Sequence, residues 1–309
     1  MRPVFDRIVL VTRKTRLEEL IERFNTRAQA KFYIEHAGGD FSAYLTEHDA
    51  YQRSLEVVRR SVETGLKIQI MDRALVTTYV FAKSDVVVTL GQDGLVANTA
   101  KYVGGQPILG VNPDADRFDG ILLPFQPADL RPNLERTLMG KARARAVTLA
   151  EAKLKDGQRL IAFNDLFIGA QTHVSARYRI VYNDQTENHS SSGIIVSTGA
   201  GSTGWLSSIF NETSGIVSFL GGTPVKPMRM EWEEPRLLFV VREPFVSRHS
   251  QANIVAGAIV PHAALALESQ MPTGGVIFSD GVEADHLDFN SGAIANIGIA
   301  PEKANLIIP

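Results

Sequence analysis

The sequence contains no cysteine in its 309 residues. Disulfides, thiolate metal sites and cysteine nucleophiles are therefore excluded. It also lacks a dominant charge. Its 32 basic and 34 acidic side chains leave a formal net charge of −2, which argues against nucleic-acid binding through a general basic field. No apolar stretch is long enough to span a bilayer. The opening Met1-Arg2-Pro3-Val4-Phe5-Asp6-Arg7 runs into the strand-like Ile8-Val9-Leu10-Val11 without the long apolar region and small-residue cleavage site of a signal peptide. The seven histidines show no H-x-H or HExxH spacing, so no metal site is expected. There is no internal repeat and no low-complexity tract. What remains is the composition of a globular protein, 44% hydrophobic and 21% charged, at a length that suggests two domains. A cytoplasmic enzyme, with neither nucleic acid nor membrane as partner, is the default expectation.

The most informative segment is Asp85-Val86-Val87-Val88-Thr89-Leu90-Gly91-Gln92-Asp93-Gly94-Leu95. A β-branched run ends in a glycine turn that carries one carboxylate. Such a turn places an acid at the carboxyl edge of a parallel sheet, where ligands bind in open α/β folds. Glycines let backbone N–H groups close around phosphate oxygens, because no Cβ blocks the approach. A phosphate cradle beside a positioned base is the minimum equipment of a kinase acting on a hydroxyl. The plainer alternative is a strand followed by a polar turn with Asp93 solvated.

Around this segment the first ~125 residues alternate strand and helix signals, as a parallel sheet requires. Strands are expected at Ile8 to Val11, Lys67 to Met71, Asp85 to Leu90 and Pro107 to Val111. Helices are expected from about Arg16 to Ala30, after a cap at Thr46 up to Gly65, and from Leu95 to Val103. Gln126-Pro127 and Arg131-Pro132 mark a junction. Beyond Gly140 the pattern becomes two-residue alternation, with turns at Asp156-Gly157 and Asn183-Asp184. The expected fold class is an α/β domain with a parallel sheet over residues 1–125, followed by a β-rich, sandwich-like domain over 126–285.

A second constellation is Ser192-Gly193-Ile194-Ile195-Val196-Ser197-Thr198-Gly199-Ala200-Gly201-Ser202-Thr203-Gly204-Trp205. An apolar strand opens into a Gly/Ser/Thr loop and then a helix, a combination suited to a phosphate-bearing ligand. Gly199, Gly201 and Gly204 match G-x-G-x-x-G. The next apolar run, Gly215 to Leu220, ends in Gly221-Gly222 without the acid a dinucleotide fingerprint requires, which disfavours a nicotinamide dehydrogenase. Ser202 lacks a G-x-S-x-G elbow. A third site is Asn164-Asp165, an amide and a carboxylate able to hydrogen-bond sugar hydroxyls or a base edge, or else a simple strand-end turn. Asn112 follows the fourth strand, and Arg13-Lys14 follow the first at the same sheet edge. The basic pair either meets the phosphates of a donor nucleotide or forms a solvated loop. Asp280-Gly281 reads as a hairpin turn.

In combination these residues resemble the NAD kinase family, whose pattern is a GGDG-type loop, a downstream Asn-Glu pair and a DG-strand-TPTGSTAY-like loop. The counterparts here are Gly91-Gln92-Asp93-Gly94, Asn164-Asp165, and Ser192-Gly193 through Trp205. The resemblance is greatest to the divergent branch that includes the animal mitochondrial enzyme, through Thr12-Arg13-Lys14-Thr15-Arg16, Gly110-Val111-Asn112-Pro113-Asp114, Ser191-Ser192-Gly193, Arg242-Glu243-Pro244 and Phe289-Asn290-Ser291-Gly292-Ala293-Ile294-Ala295.

The resemblance implies an NAD kinase/diacylglycerol kinase-like fold, a ligand in the cleft between two domains, and a final segment, 286–309, that packs back toward the first. It implies transfer of the ATP γ-phosphate to the adenosine ribose 2′-hydroxyl of NAD or NADH, with Mg2+ and with ATP or polyphosphate as donor, by a homodimer or homotetramer. Asp93 matches the general base. Gly91, Gln92, Gly94 and Leu95 match the phosphate loop, and Asn164 and Asp165 match the pair that binds the adenosine and its ribose. Ser197, Thr198, Ser202, Thr203, Gly204, Trp205 and Ser208 fall where the family's loop and helix meet NAD.

Four positions depart from the pattern. Gln92 replaces the second glycine, and a positive φ there would strain it and turn its side chain into the cradle. Asp165 is one methylene shorter than Glu, Ser192 replaces Asp, and Trp205 replaces Tyr, keeping a stacking face without the hydroxyl. Two alternatives remain. One is a catalytically weak or inactive dinucleotide-binding relative. The other is a lipid or other small-molecule kinase of the same fold.

Overall fold

The computed structural model describes residues 5–261 and 263–309. Met1–Val4, part of the opening stretch weighed above as a leader, lie outside the described residues. The chain divides into two compact units, one running through Arg145 and taking up Asn305–Pro309, the other Ala146–Ala304.

The first unit contains β1 (Arg7–Thr12), α1 (Arg16–Phe24), α2 (Arg27–His36), α3 (Phe41–Ser61), β2 (Lys67–Asp72), β3 (Asp85–Leu90), α4 (Asp93–Ala100), β4 (Pro107–Val111) and α5 (Leu130–Leu138). Its strands are parallel in the order β2-β1-β3-β4. Every residue of β3 is buried, as expected of a strand covered on both faces by crossover helices. Residues 305 and 306 lie parallel to β4, opposite Pro107 and Ile108.

Several boundaries differ from the sequence expectation, each for a local reason. The helix expected from Arg16 to Ala30 is broken at Asn25, which adopts a left-handed conformation (φ 63°), and Thr26 caps a new helix. Asp40, not Thr46, caps α3 by accepting from Ser42 N–H. Thr46 lies inside that helix and donates its hydroxyl to the Ser42 carbonyl. Gly65 (φ 89°) follows the end of α3 rather than terminating it. The unit boundary falls at Arg145 rather than residue 125, because Leu130 and Leu134 of α5 are buried in the core formed by Ile8, Leu10, Val86 and Val88. Helix α4 begins at Asp93, two residues before the expected start, so the candidate base lies in its first turn.

The second unit holds β5 (Arg143–Leu154), β6 (Arg159–Ala162), β7 (Asp165–Ala170), β8 (Ala176–Tyr182), β9 (Gln185–Ser191), β10 (Ile194–Ser197), α6 (Trp205–Phe219), β11 (Leu237–Val241), β12 (Ala256–Ile259), β13 (Leu265–Ser269), β14 (Gly275–Ser279), β15 (Val282–Asp288) and most of β16 (Ile294–Ile308). One antiparallel sheet runs β12-β11-β10-β7-β14-β15. A second joins β9-β8-β13-β16, with β5 beside β16 and β6 beside β5. Their inner faces share one core, from Leu166, Ile194, Phe239 and Ile277 to Tyr178, Ile180, Leu267 and Ile297. The expected sandwich is present, with the alternation of β8 placing Tyr178 and Ile180 inside and Arg177 and Arg179 outside. Asn183 and Asp184 both take positive φ, the backbone of a tight two-residue hairpin. The run Gly215 to Leu220 is the end of α6 and the turn after it. Among the described residues, no helix is long and apolar enough to cross a membrane.

One contact in the first unit bears directly on the site. A Cβ at Gly110 would lie 2.2 Å from the Leu122 carbonyl oxygen. Gly110→Ala should therefore destabilise the protein by about 1–3 kcal/mol, read as a lowered urea midpoint at unchanged slope.

Candidate functional site

In the first unit, β1, β3 and β4 all end at one sheet edge. Tyr51 of α3 ties two of these ends together. Its hydroxyl accepts from Arg13 N–H (3.0 Å) and donates to the Leu90 carbonyl (3.2 Å). Burial raises the phenol pKa, so it remains a neutral donor. Sequence reading found Tyr51 only as one apolar position of a helix.

The turn after β3 is then built by packing. A Cβ at Gly91 would stand 2.7 Å from Leu95 Cδ2, so any larger residue there would have to displace the Leu95 side chain. Gln92 is extended (φ −98°, ψ 168°) and exposed. The strain that a positive φ would impose on Gln92 does not arise, because the chain enters the helix from the β region. Asp93 is half-buried, and its Oδ1 accepts from Leu122 N–H at 2.6 Å. Oδ2 has no partner among the described residues. Gly94 is exposed, and nothing lies within 4 Å of where its Cβ would be. The first-turn N–H groups of Asp93 and Gly94 have no intrahelical acceptor. An open flank, orphan N–H groups and a positive helix terminus favour an anion there.

The flanking residues are placed differently from expectation. Arg13 donates to Glu47 Oε1 (3.2 Å) and to the Lys14 carbonyl (3.2 Å). Lys14 pairs with Glu22. Both cations are thus paired with neighbouring acceptors, Lys14 at the exposed surface and Arg13 against the buried Glu47. Glu47 is buried and also meets Arg16 and Arg117. Asn112 is buried, donating to the Phe118 carbonyl (2.9 Å) and accepting from Asp114 N–H (3.0 Å). Its side chain holds the loop after β4.

In the second unit, Asn164 and Asp165 lie at the start of β7. Asp280, on the turn between β14 and β15, accepts from three consecutive N–H groups there. Oδ2 takes Phe163 (3.0 Å), and Oδ1 takes Asn164 (2.6 Å) and Asp165 (3.2 Å). The hairpin expected at Asp280-Gly281 is present, but its carboxylate reaches across the unit. No local signal marks such a partner more than a hundred residues away.

The loop after β10 packs on this pair. A Cβ at Gly201 would lie 2.2 Å from the Asn164 carbonyl oxygen and 2.8 Å from Asp165 Oδ1. Ser197, Thr198 and Ser202 are fully buried or nearly so. Thr198 Oγ1 donates to the Phe163 carbonyl (2.6 Å) and accepts from Gly201 N–H (3.2 Å). Ser202 Oγ donates to the Gly199 carbonyl (2.7 Å). Through these bonds the hydroxyls brace the loop. Thr203, Gly204 and Ser208 are exposed. Trp205 stacks on Phe167 (centroids 5.9 Å apart, planes 8° apart), with the Arg242 guanidinium 5.4 Å from its ring centre. They line a cavity of about 690 Å³ with Ser192, Phe278 and Glu283.

No family model matches the sequence. The chain is 23% identical to "NAD kinase 2, mitochondrial" of Rattus norvegicus over 96% of its own length and 85% of that protein. Its fold is similar to that of a yeast NADH kinase solved with NADH, at a TM-score of 0.57 and 15% identity over 99% of this chain and 84% of the other. It is also similar to an NAD kinase of Archaeoglobus fulgidus solved with ATP, at a TM-score of 0.54 and 15% identity over 97% and 92%.

Burial pushes the Asp165 carboxyl up to about 7, the Ser197 hydroxyl opposes this, and the charge of Asp280 adds to it. Oδ1 is sealed from solvent without a hydrogen-bond partner. The unfolded value is about 3.9, so between roughly pH 4 and 7 the folded state keeps a proton that the unfolded chain has released. That contribution to stability is complete below about pH 4 and is lost as pH rises through about 7. Asp165→Asn should therefore gain on the wild type by about 1 kcal/mol or more between pH 5 and 8, measured by urea denaturation at both. A pH-independent difference would show that the carboxyl ionises normally.

Proposed function

We propose that this chain, a member of the NAD kinase family, transfers the γ-phosphoryl group of ATP to the adenosine ribose 2′-hydroxyl of NAD or NADH, forming NADP(H). The observation that carries this reading is the setting of Asp93. One carboxylate oxygen is held by Leu122 N–H and the other has no partner among the described residues. Orphan N–H groups and an unobstructed glycine lie next to it.

In the proposed step, Asp93 Oδ2 takes the hydroxyl proton. The 2′-oxygen bonds to the γ-phosphorus while the bond from that phosphorus to the bridging oxygen breaks, and ADP leaves. Backbone N–H groups of Asp93 and Gly94 steady donor phosphate oxygens. Asn164 and Asp165 of the second unit hold the adenosine and its ribose. The donor is taken as its magnesium complex, in which the ion offsets phosphate charge and is held mainly by phosphate and water. The extended, exposed Gln92 leaves the turn open, which supports turnover over a binding-only relative. A cytoplasmic homo-oligomer belongs to the same reading. The exposure of Phe219 and Leu220 at the end of α6 supports association.

The test crosses NAD and NADH against ATP and polyphosphate, with NADP(H) as the end point. Asp93→Asn retains an oxygen for Leu122 N–H but loses the base, so turnover should fall at least ~10²-fold. Full activity in that variant would reject Asp93 as the base.

A further inference from the structure

We propose that Asp280 is the positioning residue of the Asn164–Asp165 pair: its carboxylate, gathering three backbone N–H groups, sets how that pair grips the acceptor and when it can do so. This deepens the reading above and rests on it for the identity of the acceptor.

The geometry is reciprocal. While Asp280 Oδ1 and Oδ2 accept from Phe163, Asn164 and Asp165, its own N–H donates to the Asp165 carbonyl (3.0 Å). The backbone of Asp280 is left-handed (φ 52°), which aims the carboxylate back at the strand. Phe163 is fully buried, so its N–H has no route to solvent if the clamp is lost. Gly201, lacking a Cβ, lets the next loop close over the clamped segment. The side chains of Asn164 and Asp165 therefore leave a backbone that cannot swing.

The clamp also carries charge. Asp165 faces the Asp280 carboxylate, the Ser197 hydroxyl of β10 and the Gly201 backbone of the following loop. Among the described residues, Asp280 is the charged neighbour whose field acts on it. Burial and that field both resist ionisation of Asp165. With Oδ1 sealed, ionisation makes the carboxyl an acceptor only and strengthens the charge-assisted hydrogen bond it can take from a ribose hydroxyl. Acceptor affinity should thus rise with pH through neutrality, and the charge on Asp280 should set the midpoint.

The experiment compares wild type, Asp280→Asn and Asp165→Asn by calorimetric NAD affinity between about pH 5.5 and 8.5, and by steady-state KM values for NAD and ATP. Asn tolerates the left-handed backbone but lacks the charge and one acceptor. Asp280→Asn is expected to weaken NAD binding at least about tenfold, leave KM for ATP within about twofold, and move the midpoint of the pH dependence to lower pH. Asp165→Asn should flatten that dependence. Unchanged NAD affinity and midpoint in a folded Asp280→Asn protein would overturn the proposal. If that variant does not fold, the wild-type profile decides: NAD affinity independent of pH overturns it. A wild type that binds NAD but makes no NADP(H) rejects the catalytic reading alone, with the clamp still judged by affinity. A wild type that does not bind NAD rejects both.

Discussion

The close approach of β4 to the loop that follows it governs the first unit. Where Gly110 has no Cβ, the Leu122 carbonyl lies against the strand, and the adjoining Leu122 N–H reaches Asp93. Asn112 braces that loop from inside through Phe118 and Asp114. The candidate base is therefore oriented from outside its own turn. A carboxylate at a helix N-terminus is favoured by the helix dipole wherever it points. It is the loop contact that selects one direction and leaves the second oxygen open.

The second unit solves the same problem with the roles reversed. There a carboxylate holds backbone, and the backbone carries the candidate pair Asn164–Asp165. Asp280 satisfies three consecutive N–H groups at the start of β7 at once, that of the fully buried Phe163 among them. Placing that second negative charge near Asp165 makes the pair electrostatically tense. Such opposition between binding geometry and ionisation is common where a protein must hold a group in an unfavourable state for a ligand.

Much of this was legible in the sequence, and the failures have physical causes. The parallel strands declared themselves through β-branched runs such as Val86-Val87-Val88, and the hairpin at Asn183-Asp184 through residues that tolerate positive φ. Asp93 and Asn164-Asp165 stand out as candidates because short glycine-flanked or polar motifs interrupt apolar strands. What escaped was decided by tertiary partners. Ser197, Thr198 and Ser202 look identical in sequence to ligand-facing hydroxyls, yet burial turns them onto neighbouring carbonyls. Asn112 was correctly placed at the sheet edge, but its amide faces the loop. Gln92 would be strained only at positive φ, and no local pattern reveals its backbone, which is extended and admits any residue. Tyr51 and Asp280 act across long sequence separations, which no local pattern reveals.

The placement of Asn305–Pro309 beside β4 has a consequence for biosynthesis. Domains commonly fold during translation, the earlier ones first. Here nearly all of the first unit leaves the ribosome while the segment that lines one side of β4 is still some 160 codons from synthesis, the length of the intervening second unit (Ala146–Ala304). Until that segment emerges, β4 presents an unpaired flank, the kind of surface on which nascent chains associate wrongly. Translation speed across the second unit then sets how long that exposure lasts.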